Sequence, residues 1–143
     1  MASYTEEEMA RLDVLYYGEA EMSTENMRKY SAQVGATGGY DVDVYPGFAI
    51  GLIIPVKLVQ AEHEDLTPYA EKTIGYFNDQ NHTNFKFLEL LKANVQVCSG
   101  AKFYLTFKAK DVDNGKIETF QGLYVRGIRV HEVLECRIKP VTT

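Results

Sequence analysis

The chain has 143 residues, 45% of them apolar and 24% charged, with a net charge of −5. That length suits one ordinary domain, and the composition is that of a globular chain rather than a disordered one. An acidic balance with scattered Lys and Arg leaves no electrostatic footprint for nucleic acid and no polybasic anchor for a membrane, and no run approaches the 18 apolar residues of a spanning helix.

The opening residues, MASYTEEEMARLD, are polar and acidic and lack the apolar stretch of a secretory signal. The expected home is therefore the cytoplasm, with the nucleus as the alternative, and Cys98 and Cys136 are expected there as free thiols. Thr5 and Glu8 have capping-box spacing ahead of Met9, Leu12 and Tyr16, which predicts a short helix over residues 4–17. Ser23 or Thr24 caps a second helix through Glu25–Gln33, with Met27, Tyr30 and Val34 on one face. Gly35–Gly39 is a predicted loop; no Lys-Ser/Thr follows it, so it is not a phosphate cradle. Tyr40–Val44 alternates apolar and acidic residues before Pro46-Gly47, which predicts a strand with Asp41 and Asp43 toward solvent. Two such carboxylates without a third ligand do not make a metal site.

Residues 48–59 are strongly apolar and read as buried extended chain, with Pro55 marking an edge or a bulge. His63 stands among carboxylates in a predicted solvated loop. Thr67-Pro68 is read as the start of the main helix, Thr as cap and Pro at the first helical position. Leu66, Tyr69, Ala70, Ile74 and Phe77 form its apolar stripe, and Asn78–His82 is a polar stop. Asn81-His82-Thr83 is a glycosylation sequon, expected idle without a secretory route.

Two runs of period-two alternation follow. Phe85, Phe87, Leu91, Ala93, Val95 and Val97 share one parity, with Glu89 as the exception; Phe103, Leu105, Phe107 and Ala109 share another. The runs predict an antiparallel hairpin turning at Ser99-Gly100. Asp111–Gly115 lacks the distal ligands of a calcium loop, and Asn114-Gly115 is read as a type I′ turn into a third strand over 117–125. Arg126-Gly127 then leads to a fourth strand in which Ile128, Val130, Leu134, Cys136 and Ile138 share a parity. One long helix with one apolar stripe and a meander with one apolar face predict an α+β fold: an antiparallel four- to five-stranded sheet wrapped around the helix, with an N-terminal helical extension.

Thr73–Pro140 resembles the cystatin/monellin group, and the phytocystatins in particular. Their inhibitory hairpin reads Gln-x-Val-x-Gly, and here the hairpin is Gln96-Val97-Cys98-Ser99-Gly100. Tyr104–Asp111 is similar to the phytocystatin third strand, Ile138-Lys139-Pro140 to the usual ending, and Tyr76–Asn81 to the helix signature. The chain is more similar still to a plant-specific set of cystatin-related paralogues, through the Tyr-Asp-Val-Asp…Pro-Gly element at Tyr40–Gly47. The resemblance implies residues 1–45 as a helical extension and 46–143 as a cystatin-like domain.

It also implies a three-part wedge against papain-like cysteine proteases: a glycine before the first strand (Gly47 or Gly51), the hairpin Gln96, Val97, Cys98, Ser99 and Gly100, and a second hairpin. Cys98 replaces the motif's Val. The family's Pro-Trp in the second hairpin is absent, since the chain has no Trp, and Arg126-Gly127-Ile128 stands there. The expected function is a cystatin-fold interaction module that does not inhibit, or inhibits weakly, with a protease or another protein as partner. The alternative is a true inhibitor of papain-like enzymes. A third reading, Cys98 as a nucleophile with His82 as its base, has no orienting third group in the sequence. No enzyme activity, cofactor or metal is expected.

Overall fold

The computed structural model describes residues 23–46 and 51–141. The helix expected over 4–17, the strand residues 48–50 and Gly47 lie outside that range. Helix α1 runs Thr24–Thr37, strand β1 Ile53–Pro55, helix α2 Gln60–Asn81, then β2 Phe85–Val97, β3 Ala101–Asp111, β4 Ile117–Arg126 and β5 His131–Ile138. The five strands form one antiparallel sheet in the order of the sequence. The fold is the α+β arrangement predicted above.

Helix α2 starts seven residues earlier than its Thr-Pro signal. Val59 is the residue before its first turn and offers no side-chain cap. Gln60 Nε2 bonds Glu64 Oε1 one turn on, at 2.9 Å, and Glu62 and Leu66 are buried, so the buried stripe extends upstream of Pro68. His63 is thus a half-buried helical residue, not a loop residue. Pro68 sits inside the helix and withholds a backbone N–H there. One residue before it, the Thr67 hydroxyl donates to the His63 carbonyl (2.6 Å). At the far end His82 takes a left-handed conformation. Asn78 then ties the helix to β2, donating to Phe85 O and accepting from Phe85 N, both at 2.9 Å.

The strand parities hold only between bulges. The β2–β3 register slips between Phe87 and Glu89 and again between Leu90 and Lys92. Leu90, 4% exposed, therefore takes the inward place expected of Leu91, while Leu88 and Leu91 face out. A third slip in β4–β5 turns Leu134 outward and packs Val133 and Cys136 on the core. Each bulge bends its strand and adds twist, which lets the sheet curve around α2.

Two turns also differ from expectation. Gly115 alone of its loop has positive φ; Asn114 does not, so the β3–β4 connection is not type I′. The Asp111 carboxylate accepts Asp113 N–H and Asn114 Oδ1 accepts Lys116 N–H, which builds a longer loop. The β4–β5 connection is Gly127–Val130, closed by Gly127 N–H to Val130 O (3.0 Å). Ile128 and Val130 are exposed loop residues rather than strand residues.

The main core lies between α2 and the concave face: Leu66, Ala70 and Ile74 against Leu90, Val95, Phe103, Leu105, Phe107, Phe120 and Tyr124. Phe77, Phe85 and Phe120 meet edge to face, a favoured aromatic geometry. Helix and sheet approach closely where Thr73 lies over Gly122; a Cβ at Gly122 would collide with the Thr73 methyl.

The convex face is covered too. Helix α1, capped by Ser23 (Asn26 N–H to Ser23 Oγ, 3.1 Å), continues through Gly35–Thr37, part of the expected loop. Residues 40–44 cross the sheet as irregular chain and form no strand. Tyr30, Tyr40, Val42, Ile53 and Tyr104 form a second buried cluster there. Asn94, fully buried, donates to the carbonyls of Gly39 (2.9 Å) and Tyr40 (2.8 Å). The Tyr40 hydroxyl donates to Glu135 (2.7 Å) and Arg137 lies over its ring. Asp43 points outward as expected and pairs with Lys92 at 2.6 Å, whereas Asp41 is half-buried beside Lys92 and Lys139.

Two outcomes test this packing. Gly122→Ala should cost about 1–3 kcal/mol by overpacking, and Thr73→Ser in the same chain should recover part of it, because Ser keeps the hydroxyl bond to Tyr69 O and lacks the methyl. Denaturant unfolding of the two single variants and the double variant measures this; simple additivity would refute the contact. Burial first, then the bond to Glu135, raises the Tyr40 pKa well above its ordinary 10.0. Above pH 10 the unfolded chain ionises this tyrosine and the folded chain does not. Stability should therefore be intact below pH 10 and fall above it, by up to about 1.4 kcal/mol per pH unit for this group. Tyr40→Phe should lessen the fall in urea melts between pH 9 and 11, and the remainder belongs to Tyr30, Tyr104 and Cys136, which burial also raises.

Candidate functional site

Three chain-distant segments meet at the end of the sheet where β2 turns into β3. The first is Gly51, exposed, two residues before β1. Its N–H donates to Val97 O (2.7 Å) and its carbonyl accepts from Gln96 Nε2 (2.9 Å). The second is the loop Cys98–Gly100, with Val97 opposite Ala101 across its base. Ser99 and Gly100 both have positive φ, 45° and 112°. The third is the β4–β5 loop. A Cβ on Gly100 would stand 2.5 Å from Arg126 O and 3.2 Å from Gly127 Cα, so only glycine lets the two loops lie this close.

Within this row the expected site residues behave differently. Ser99 and Ile128 are exposed, and Cys98, Gln96, Arg126 and Gly127 are partly so. Val97 and Gly100 are buried and shape the row without presenting a side chain. Gln96 does not offer a free amide: its Oε1 accepts from the Tyr104 hydroxyl (2.8 Å) while its Nε2 holds Gly51. Arg126 lies over the Phe103 ring at 5.4 Å, a stabilising cation–π placement. Gly47 lies outside the described residues.

Sequence reasoning missed Val130 and the support beneath the third loop. Val130 is the most exposed apolar residue of that loop, at 62%. Below it Tyr124, buried, bonds His131 Nδ1 through its hydroxyl (2.7 Å) and stacks on Tyr69 of α2 at 4.3 Å between centroids. The stack fixes the base of the loop to the helix. The spacing Tyr124–His131 spans a hairpin, and only the strand register brings the pair together.

The pairing of Cys98 with His82 fails on distance. His82 caps α2 beside the start of β2, and Cys98 follows its end. The 13 residues of β2 place them about 40 Å apart at ~3.3 Å per residue. Among the described residues no group of three or more His, Cys, Asp and Glu could hold a metal ion. Burial, then the nearby Glu135 charge, pushes the Cys136 thiol up to about 12, away from the reactive thiolate form. Iodoacetamide at pH 8 should therefore leave Cys136 unmodified in the folded protein and label it on unfolding, as peptide mass mapping would report.

The family described as cystatin domain matches residues 51–126. The match covers Gly51, β1, α2, the Gln96–Gly100 hairpin and β4 as far as Arg126. No curated protein matches the chain.

Proposed function

Because the chain belongs to the cystatin family, we propose that it is a protein-binding module whose working surface is the row formed by Gly51, Cys98–Gly100 and Arg126–Val130. The observation that carries this reading is the assembly of three distant segments at one sheet end, with Ser99, Ile128 and Val130 exposed. Such a row stands at the end of the sheet on paired strands, which suits insertion into a partner's cleft at low ordering cost.

The anchors are modest. Burying an isoleucine or valine side chain is worth about 1.5–3 kcal/mol, whereas the aromatic side chains that dominate tight interfaces are absent from the tips of this row. A papain-like protease is thus bound weakly or not at all, and the partner is a protein whose cleft accepts aliphatic and hydroxyl tips and the exposed Arg129 cation.

The second reading is inhibition of papain-like cysteine proteases. It is favoured by the alignment of all three segments and by the occlusion such a wedge produces: it would fill the cleft beside the catalytic thiol without offering a scissile bond. Titrating papain with the full chain separates the two. The first reading expects an inhibition constant weaker than about 1 μM, a binding free energy of only about 8 kcal/mol. Nanomolar inhibition would overturn it in favour of the second. Gly100→Arg, which forces the loops apart, should abolish whatever inhibition is seen; inhibition that survives this change would place it elsewhere on the chain.

A further inference from the structure

We propose that Tyr104 and Tyr30 are positioning residues for the binding row: the layer of residues 24–44 on the convex face of the sheet acts as a brace that fixes the Gly51 segment beside the Gln96–Gly100 hairpin. This rests on the reading of that row as a binding surface.

The need for a brace follows from the strand itself. β1 has only three residues, at the sheet edge, and Gly51 stands before it with no side chain of its own. The side chains of β1 are buried, but an edge strand is paired on one side only, so its outer backbone groups need partners from elsewhere. Two tyrosines on the convex face hold it.

The Tyr30 hydroxyl accepts from Ile53 N–H (2.8 Å) and donates to Ile53 O (2.7 Å), so both backbone groups of the first β1 residue end on one phenol. The Tyr104 hydroxyl donates to Gln96 Oε1 and Gln96 Nε2 donates to Gly51 O. This makes a relay from the convex face to the first segment of the row. Gln96 is partly exposed and free to rotate by itself; it is aimed because Tyr104 is not free. The Tyr104 ring is buried and packs edge-on against Tyr40 with centroids 5.6 Å apart. Tyr40 in turn is fastened by Glu135 through its hydroxyl and by Asn94 through its carbonyl. Every link runs through residues 30–44 or their contacts, so residues 24–44 set the geometry of a row to which they contribute no residue.

The brace predicts a local effect distinct from general destabilisation. Tyr104→Phe keeps the ring and loses the relay; Tyr30→Phe keeps the ring and frees the Ile53 backbone. In the full free chain, amide hydrogen exchange at Gly51 should quicken about five- to tenfold in Tyr104→Phe. Exchange at Ile53 should quicken by a similar factor in Tyr30→Phe. The central amides of Leu105 and Phe107 should stay at their wild-type rates. Unchanged exchange at Gly51 and Ile53, or an equal rise at the central amides, overturns the brace.

Binding is read separately, with papain carboxymethylated at its catalytic thiol as the probe. If the wild-type chain binds it, Tyr104→Phe should slow association several-fold, and equal association rates would overturn the positioning role. If the wild-type chain does not bind it, the protease reading falls, and the exchange rates alone decide the brace.

Discussion

The antiparallel pairing of β2 with β3 runs from Phe85 opposite Asp111 to Val97 opposite Ala101, and the other elements are placed by it. Straight strands of this length would diverge from a single helix at both ends. The slips after Phe87 and after Leu90 bend β2, and the slip at Leu134 bends β5. The apolar requirement stays met because Leu90 and Val133 move into the inward places that Leu91 and Leu134 vacate. The outward leucines are the cost of curvature. The helix can then lie close over the middle of the sheet, where Gly122 leaves room for Thr73.

An antiparallel sheet commonly buries one face and wets the other. Here the convex face carries Tyr104, Leu123 and Asn94, and the segment from α1 to Val44 covers them. The cover is tied by specific hydrogen bonds as well as by area. Asn94 takes up two carbonyls of the crossing chain, and Tyr30 takes up both polar groups of Ile53 at the sheet edge. An edge strand with free backbone groups invites pairing with other chains, and the Tyr30 hydroxyl occupies those of Ile53.

The row proposed for binding is a product of both layers. From the concave side, Tyr69, Tyr124 and His131 fix the base of the β4–β5 loop. From the convex side, Tyr104 and Gln96 fix Gly51. Between them Gly100 lets two loops touch. The tips carry aliphatic side chains, the Ser99 hydroxyl and the exposed Arg129, with no aromatic among them.

Much of this was legible in the chain itself. Period-two alternation in residues 85–97 and 101–110, the glycine turn between them and the apolar stripe of the long helix are local signals. They determined the hairpin, the helix and the α+β class, because side-chain direction follows directly from backbone period. The Gln96–Gly100 motif marked the loop that turns out to sit at the centre of the row. Four things were decided only by tertiary structure. The bulges answer the curvature of the sheet around α2, which no window of sequence contains. The early start of α2 goes with the burial of Glu62 and Leu66 against the rest of the fold, which the Thr-Pro signal does not register. The crossing of 40–44 as irregular chain depends on Asn94, some fifty residues away, receiving its carbonyls. The occupation of the Gln96 side chain depends on Tyr104, which only the β2–β3 register and the packing of Tyr40 bring to it. Local patterns specify which face a residue prefers; they carry no information about which distant group will be waiting there.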